Sequence, residues 1–195
     1  AGGALSTDYY IYYSYAAETT NKQPTTNATW NAVYTPENDS NAKALYHVKE
    51  TSGTTVADTS GNCYDLAFSG VPTFTTGKSG KAIFLVRASS HSLFRDYSLT
   101  PAPPNITGNM TVEGWIYLNT IGIQQSIMSK WAGSVSHGWR FYIGTDNKLK
   151  FKISDDGSTD PTAASSDTAL VTGAWYHVAV SYTASLGTCV FYLNG

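Results

Sequence analysis

Side chains that alternate in polarity along short runs dictate what this chain can fold into. In NMTVEGWIYL, residues 109–118, Val112, Gly114, Ile116 and Leu118 fall on one side of an extended backbone. Thr111, Glu113, Trp115 and Tyr117 fall on the other. The first set suits a core and the second an outward face. Comparable β-rich runs occupy 9–15, 44–49, 82–87, 126–131, 139–144, 148–153, 175–182 and 188–193. Turn-forming clusters separate them: TSGN, TGKSG, TDNK, DDGSTDP and ASLGT. No window of 11 or more residues carries a helical stripe. Many short strands at this spacing predict an all-β sandwich or barrel.

One strand is not a domain. DYYIYYSYAA stands apart from the other runs, and the polar stretch after it carries Pro24 and Pro36 with little periodicity. Residues 1–18 therefore read as the terminal strand of an upstream domain, 19–41 as a linker, and 42–195 as the main β module. Charged residues make up 13%, well below the usual share, while Tyr, Thr, Ser, Asn and Gly are abundant. That profile suits an extracellular, cell-surface or virion-surface protein. A net charge of −2 with no Lys/Arg cluster argues against a nucleic-acid partner. No stretch of 18 apolar residues exists to insert into a membrane. Cys63 and Cys189 are either two free buried thiols or a disulfide joining an early strand to a late one. The bridge would close a long loop and contribute roughly 3–5 kcal/mol.

From Ala44 onward the motifs have a definite order. ALYHVKETSGTTVADTSGN is followed by TGKSGKAIFL, NMTVEGWIYL, QSIMSKW, GWRFYI, NKLKFKIS and GAWYHVAVSYTASLGTCVFYLNG. This order resembles the laminin-G-like branch of the concanavalin A-like lectin/glucanase superfamily. The preceding DYYIYYSYAAETTNKQP resembles the tail of a bacterial and archaeal domain of unknown function. The resemblance implies an antiparallel two-sheet jelly-roll sandwich. It also implies non-catalytic carbohydrate binding or adhesion within a larger secreted, cell-surface or phage-tail protein. A structural or decoration module of an extracellular or virion assembly is the alternative, and a glycoside hydrolase a third. Members of the branch continue past their Asn-Gly turn. The chain's Asn194-Gly195, the dipeptide of a tight hairpin turn, therefore leads to the expectation of a C-terminally incomplete jelly roll.

Retaining glycosidases of this sheet type resemble E-x-D-x-E on one strand, which sets alternate carboxylates on one face. The glutamates here are Glu18, Glu37, Glu50 and Glu113, and only Glu37 has an acidic residue two positions away, in the linker. No enzyme is expected. Glu113 and Trp115 share the outward side of their strand, where a ring can stack on sugar and a carboxylate can accept hydroxyls. The other role for Glu113 is structural, beside His177, since both fit the resembled family's recurring pattern. In KWAGSVSHGWRF, Trp131 and His137 flank a Gly/Ser loop and are candidate glycan contacts, whereas Trp139 suits the core. ADTSGN offers Asp58 and Asn62 as calcium ligands, and DDGSTD offers Asp155, Asp156 and Asp160. Simple turn chemistry is the favoured reading of both acidic stretches. The resemblance implies calcium held by an early Asp and a residue near the C-terminus. The expected partners are a glycan or surface polysaccharide, with protein partners in a larger assembly.

Overall fold

The structure is a computed structural model that describes residues 41–102, 106–132 and 136–195. The strand expected at 9–15, and both the upstream strand and the linker at 1–41 save its last residue, lie outside the described residues. Residues 1–104 and 105–195 form two compact units. The stretch 42–195 is thus shared between them.

In the first unit, β1 (Thr55–Val56), β2 (Leu66–Ser69) and β5 (Ser92–Phe94) make an antiparallel sheet in the order β1-β2-β5. β3 (Thr73–Thr76) and β4 (Lys81–Phe84) form a hairpin, closed by Gly77 N–H donating to the Gly80 carbonyl at 3.0 Å. Val56 is fully buried, and the Phe68 and Phe74 rings meet at 5.6 Å. The strand expected at 44–49 is absent. Val48 takes φ +52°, which breaks an extended run, and the Leu45 N–H is drawn to the Asp58 carboxylate at 2.9 Å. The run at 82–87 ends as strand at Phe84 and passes into a 3₁₀ turn, Arg87–Ser89.

The second unit has two facing antiparallel sheets. The strands are β6 (Met110–Tyr117), β7 (Gln125–Ala132), β8 (Ser136–Ile143), β9 (Lys148–Ile153), β10 (Ala164–Ala169), β11 (Trp175–Thr183) and β12 (Thr188–Leu193). One sheet runs β10-β9-β8-β7 and the other β12-β11-β6. Alternation works as expected on β6, where Met110 and Val112 are buried while Thr111, Glu113, Trp115 and Tyr117 are exposed. Phe141, Ile143, Leu149 and Phe151 from one sheet pack against Val112, Val178 and Val180 from the other, with Trp139 and Leu170 beside them. Phe141 meets Phe191 across the core at 6.5 Å between ring centroids. Non-directional burial of these side chains holds the two sheets together. β10 has the sequence ASSDTA, with neither β-branched runs nor apolar alternation, and only its pairing with β9 makes it a strand. Among the described residues no helix is long and apolar enough to cross a membrane.

Candidate functional site

On β9, Leu149 and Phe151 point inward, so Lys148, Lys150 and Lys152 point outward. On β8, the buried Trp139, Phe141 and Ile143 leave Arg140 and Tyr142 outward. At the start of β8 the register slips. Lys130 pairs with Trp139 and Trp131 with His137, so Gly138 is left over as a bulge. Only glycine fits there, because a Cβ would come 2.7 Å from the Lys130 carbonyl oxygen. Strict alternation would put His137 on the inward side with Trp139. The extra residue reverses its direction and brings it beside Trp131.

The two rings stack with centroids 4.0 Å apart and 11° between planes. The Lys152 ammonium sits 4.5 Å from the centre of the Trp131 ring, a cation–π contact. The same ammonium is paired with the Asp160 carboxylate. Asp160 comes from the β9–β10 loop, whose shape is set by Asp156. That carboxylate accepts from the Thr159 hydroxyl, the Thr159 and Ser158 N–H groups, and the Ser154 hydroxyl. These bonds, the Thr159 hydroxyl foremost, hold Asp156 far below the usual carboxylate range. The loop is fastened to His137, whose N–H donates to the Gly157 carbonyl at 2.8 Å and whose Nδ1 lies 3.2 Å from the Thr159 carbonyl. A hollow of about 440 Å³ begins at His137 and runs along Gly138, Ile153, Ser154, Asp155 and Gly157.

The outward face of the other sheet carries Glu113, Trp115, Tyr117, Trp175 and His177. His177 is buried, and its Nε2 lies 3.7 Å from a Glu113 carboxylate oxygen. Trp115 meets the same imidazole edge-on at 5.4 Å. Burial pushes Glu113 up to about 7 and His177 down, so both favour their neutral forms. The Glu113 side chain keeps 36% exposure, and solvent offsets part of that cost. Asn194 extends the ladder by exchanging two hydrogen bonds with the His177 backbone, 2.8 and 3.0 Å. Asn194 and Gly195 take φ +57° and +92°, the positive values a type I′ turn requires.

Asp58 and Asn62 are in the first unit, within a single loop. Asp58 Oδ1 accepts from the Leu45 and Ser60 N–H groups, and Oδ2 from the Ser60 hydroxyl and the Tyr64 N–H. Burial pushes Asp58 up, but the bonds from Ser60, Tyr64 and Leu45 outweigh it and hold it below the usual range. The Asn62 amide donates to the Ala42 and Lys43 carbonyls. The four lone-pair positions of the Asp58 carboxylate are therefore engaged in turn-making. Among the described residues no group of three or more His, Cys, Asp or Glu is arranged to hold a metal ion.

Residues 89–195, more than half of the chain, match the family model described as the concanavalin A-like lectin/glucanases superfamily. The chain belongs to this superfamily. The two facing antiparallel sheets of its second unit agree with the superfamily's sandwich. A similar solved structure is the 2.1 Å crystal structure of residues 221–444 of an S-layer domain-containing protein from Clostridium thermocellum ATCC 27405. It is 22% identical, with 77% of this chain and 68% of that chain covered and a TM-score of 0.49. No curated protein matches the sequence.

Within this concanavalin A-like unit, the expected glycan contacts do not form one site. Trp131 and His137 are together on the outward face of the four-stranded sheet. Glu113 and Trp115 are together on the outward face of the other, on the opposite side of the sandwich. The sequence alone did not join Lys152 to Trp131, or Asp160 to Lys152. The signal was present in KLKFK, where lysines at every second position share one face.

Proposed function

We propose that this chain is a non-catalytic carbohydrate-binding module of a secreted or surface protein, with residues 42–195 acting as one functional piece. The observation that carries the reading is the outward cluster of Trp131, His137 and Lys152, next to a hollow with hydroxyl and carboxylate groups on its walls. Aromatic surface beside hydrogen-bonding groups is what a sugar ring needs, since it offers apolar C–H faces and polar hydroxyls. The imidazole of His137 is the ring that a sugar would meet, because Trp131 is engaged by both His137 and Lys152. The reading is non-catalytic, and it is supported by β6, β11 and β12 carrying Glu113 as their one carboxylate, where a retaining glycosidase uses a pair. Calcium at Asp58 and Asn62 has no part in it, since it would have to displace four hydrogen bonds. A glycan array probed with the 195-residue chain tests the proposal. Binding should appear and fall about tenfold in Trp131→Ala and His137→Ala. A folded chain that binds no glycan overturns it.

A second reading, a structural module in a larger assembly, is favoured by Trp115, Tyr117 and Val190. They are 39%, 42% and 55% exposed on one sheet face. Exposed apolar groups gathered on one face suit a protein partner.

A further inference from the structure

The chain is acidic overall, yet its second unit distributes charge unevenly. Every Lys and Arg of residues 105–195, namely Lys130, Arg140, Lys148, Lys150 and Lys152, lies in β7, β8 or β9. The opposite sheet has none. Four of these cations, all but Lys130, point outward by the alternation described above. Arg140 and Lys152 are register partners, so their side chains are neighbours on that face. Two carboxylates are paired with them, Asp146, 2.6 Å from the Lys150 ammonium, and Asp160, on Lys152, while Asp167 is exposed on β10 of the same sheet. Asp155 and Asp156 belong to the hollow instead, and Asp156 is turned into its own loop.

Lys152 is held in an unusual way for a surface lysine. Its side chain is only 11% exposed, with the ammonium over the Trp131 ring, whereas its partner Asp160 is 60% exposed. The cation is fixed in the sheet and the anion is on a loop at the solvent edge. Asp160 lies below the usual carboxylate range, first through its bond with Lys152 and then through the charge of Lys152, His137 and Arg140. Several positive or protonatable groups therefore converge on one exposed carboxylate, beside an aromatic stack.

We infer that this carboxylate position is exchangeable, and that the outward face of the four-stranded sheet takes acidic glycans whose own carboxylate replaces Asp160 on Lys152. The inference rests on the carbohydrate-binding reading and names the class of sugar. The sugar ring lies against His137, its hydroxyls face the hollow, and its carboxylate meets Lys152 and Arg140. A charge-assisted bond in this partly desolvated place supplies the discrimination against neutral sugars. Asp160 is a built-in competitor, which leads to an outcome that simple truncation of a contact would not produce.

The test titrates the 195-residue chain with polygalacturonic acid, a neutral galactan and a single-stranded oligonucleotide, each at low and moderate salt. Asp160→Asn should bind polygalacturonic acid several-fold more tightly than the parent. Lys152→Ala should bind it about tenfold more weakly, with Arg140→Gln as the gentler second variant should Lys152→Ala fail to fold. Galactan affinity should be lower throughout, and Asp160→Asn should leave it unmoved. If Asp160→Asn leaves the affinity unchanged or weakens it, the inference is wrong, and glycan binding through Trp131 and His137 stands without it. Equal binding of galactan and polygalacturonic acid overturns it in the same way. Tighter binding of the oligonucleotide would reassign the face to nucleic acid. No binding of either polysaccharide by the folded parent removes the carbohydrate reading itself.

Discussion

Glu113 is placed where burial works against its charge, and this has a consequence for stability. Its proton is held up to about 7 instead of the ordinary 4.5, so the folded state binds a proton that the unfolded state has released between those values. Stability from this group is present below the ordinary value and is lost as pH rises toward 7. His177 beside it is shifted down by burial, so its contribution runs the other way and is lost as pH falls below 6.5. Glu113→Gln separates the two, because the amide keeps the shape and does not titrate. The melting temperature of Glu113→Gln minus that of the parent should become more positive between pH 5 and pH 8. A difference that is flat with pH would mean that the carboxyl is not desolvated. At this scale the pairing of Glu113 with His177 was legible through the family pattern. The coupling of Trp131 to Lys152 was not, because the two side chains come from strands separated by β8.

Elements were legible where a strand had one apolar face. β6 and β9 follow their alternation closely, because each buries alternate residues against the opposite sheet, whereas β11 is buried on both faces from His177 to Val180. β10 carries no such signal, because its small polar residues form a strand only by pairing with β9. The run at 44–49 erred in the other direction, as local bonds to Asp58 outcompeted extension. The bulge at Gly138 was likewise invisible to a period-two pattern, yet it decides where His137 points. Gly138→Ala should press a methyl group against the Lys130 carbonyl and push the register back. We expect a loss of roughly 1–3 kcal/mol in stability together with weaker glycan binding, measured by thermal melting and titration on the same sample. Full stability and full binding in this variant would show that the bulge does not position His137.

Across the whole molecule, Cys63 and Cys189 fall in different compact units and both are free thiols. Cys63 is exposed, at φ +59°, contrary to the expectation of burial, and Cys189 is half-buried with its thiol pushed up by burial. A reducing agent should therefore leave the melting temperature unchanged. A fall of several degrees would reveal a bridge, since closing so long a loop contributes roughly 3–5 kcal/mol. The amino-acid order alone determined the all-β class, most core strands and the superfamily, because those follow from period-two burial and from turn residues placed between strands. It also carried each site residue as a local possibility. Only the tertiary structure decided which possibilities meet. Sheet pairing put Glu113 and Trp115 on one side of the sandwich and Trp131 and His137 on the other. A one-residue slip in register turned His137 onto Trp131, and the pairing of β9 with β8 brought Lys152, with Asp160, to them. Contacts between residues distant in the chain depend on register and on loop path, and neither is written in any single segment.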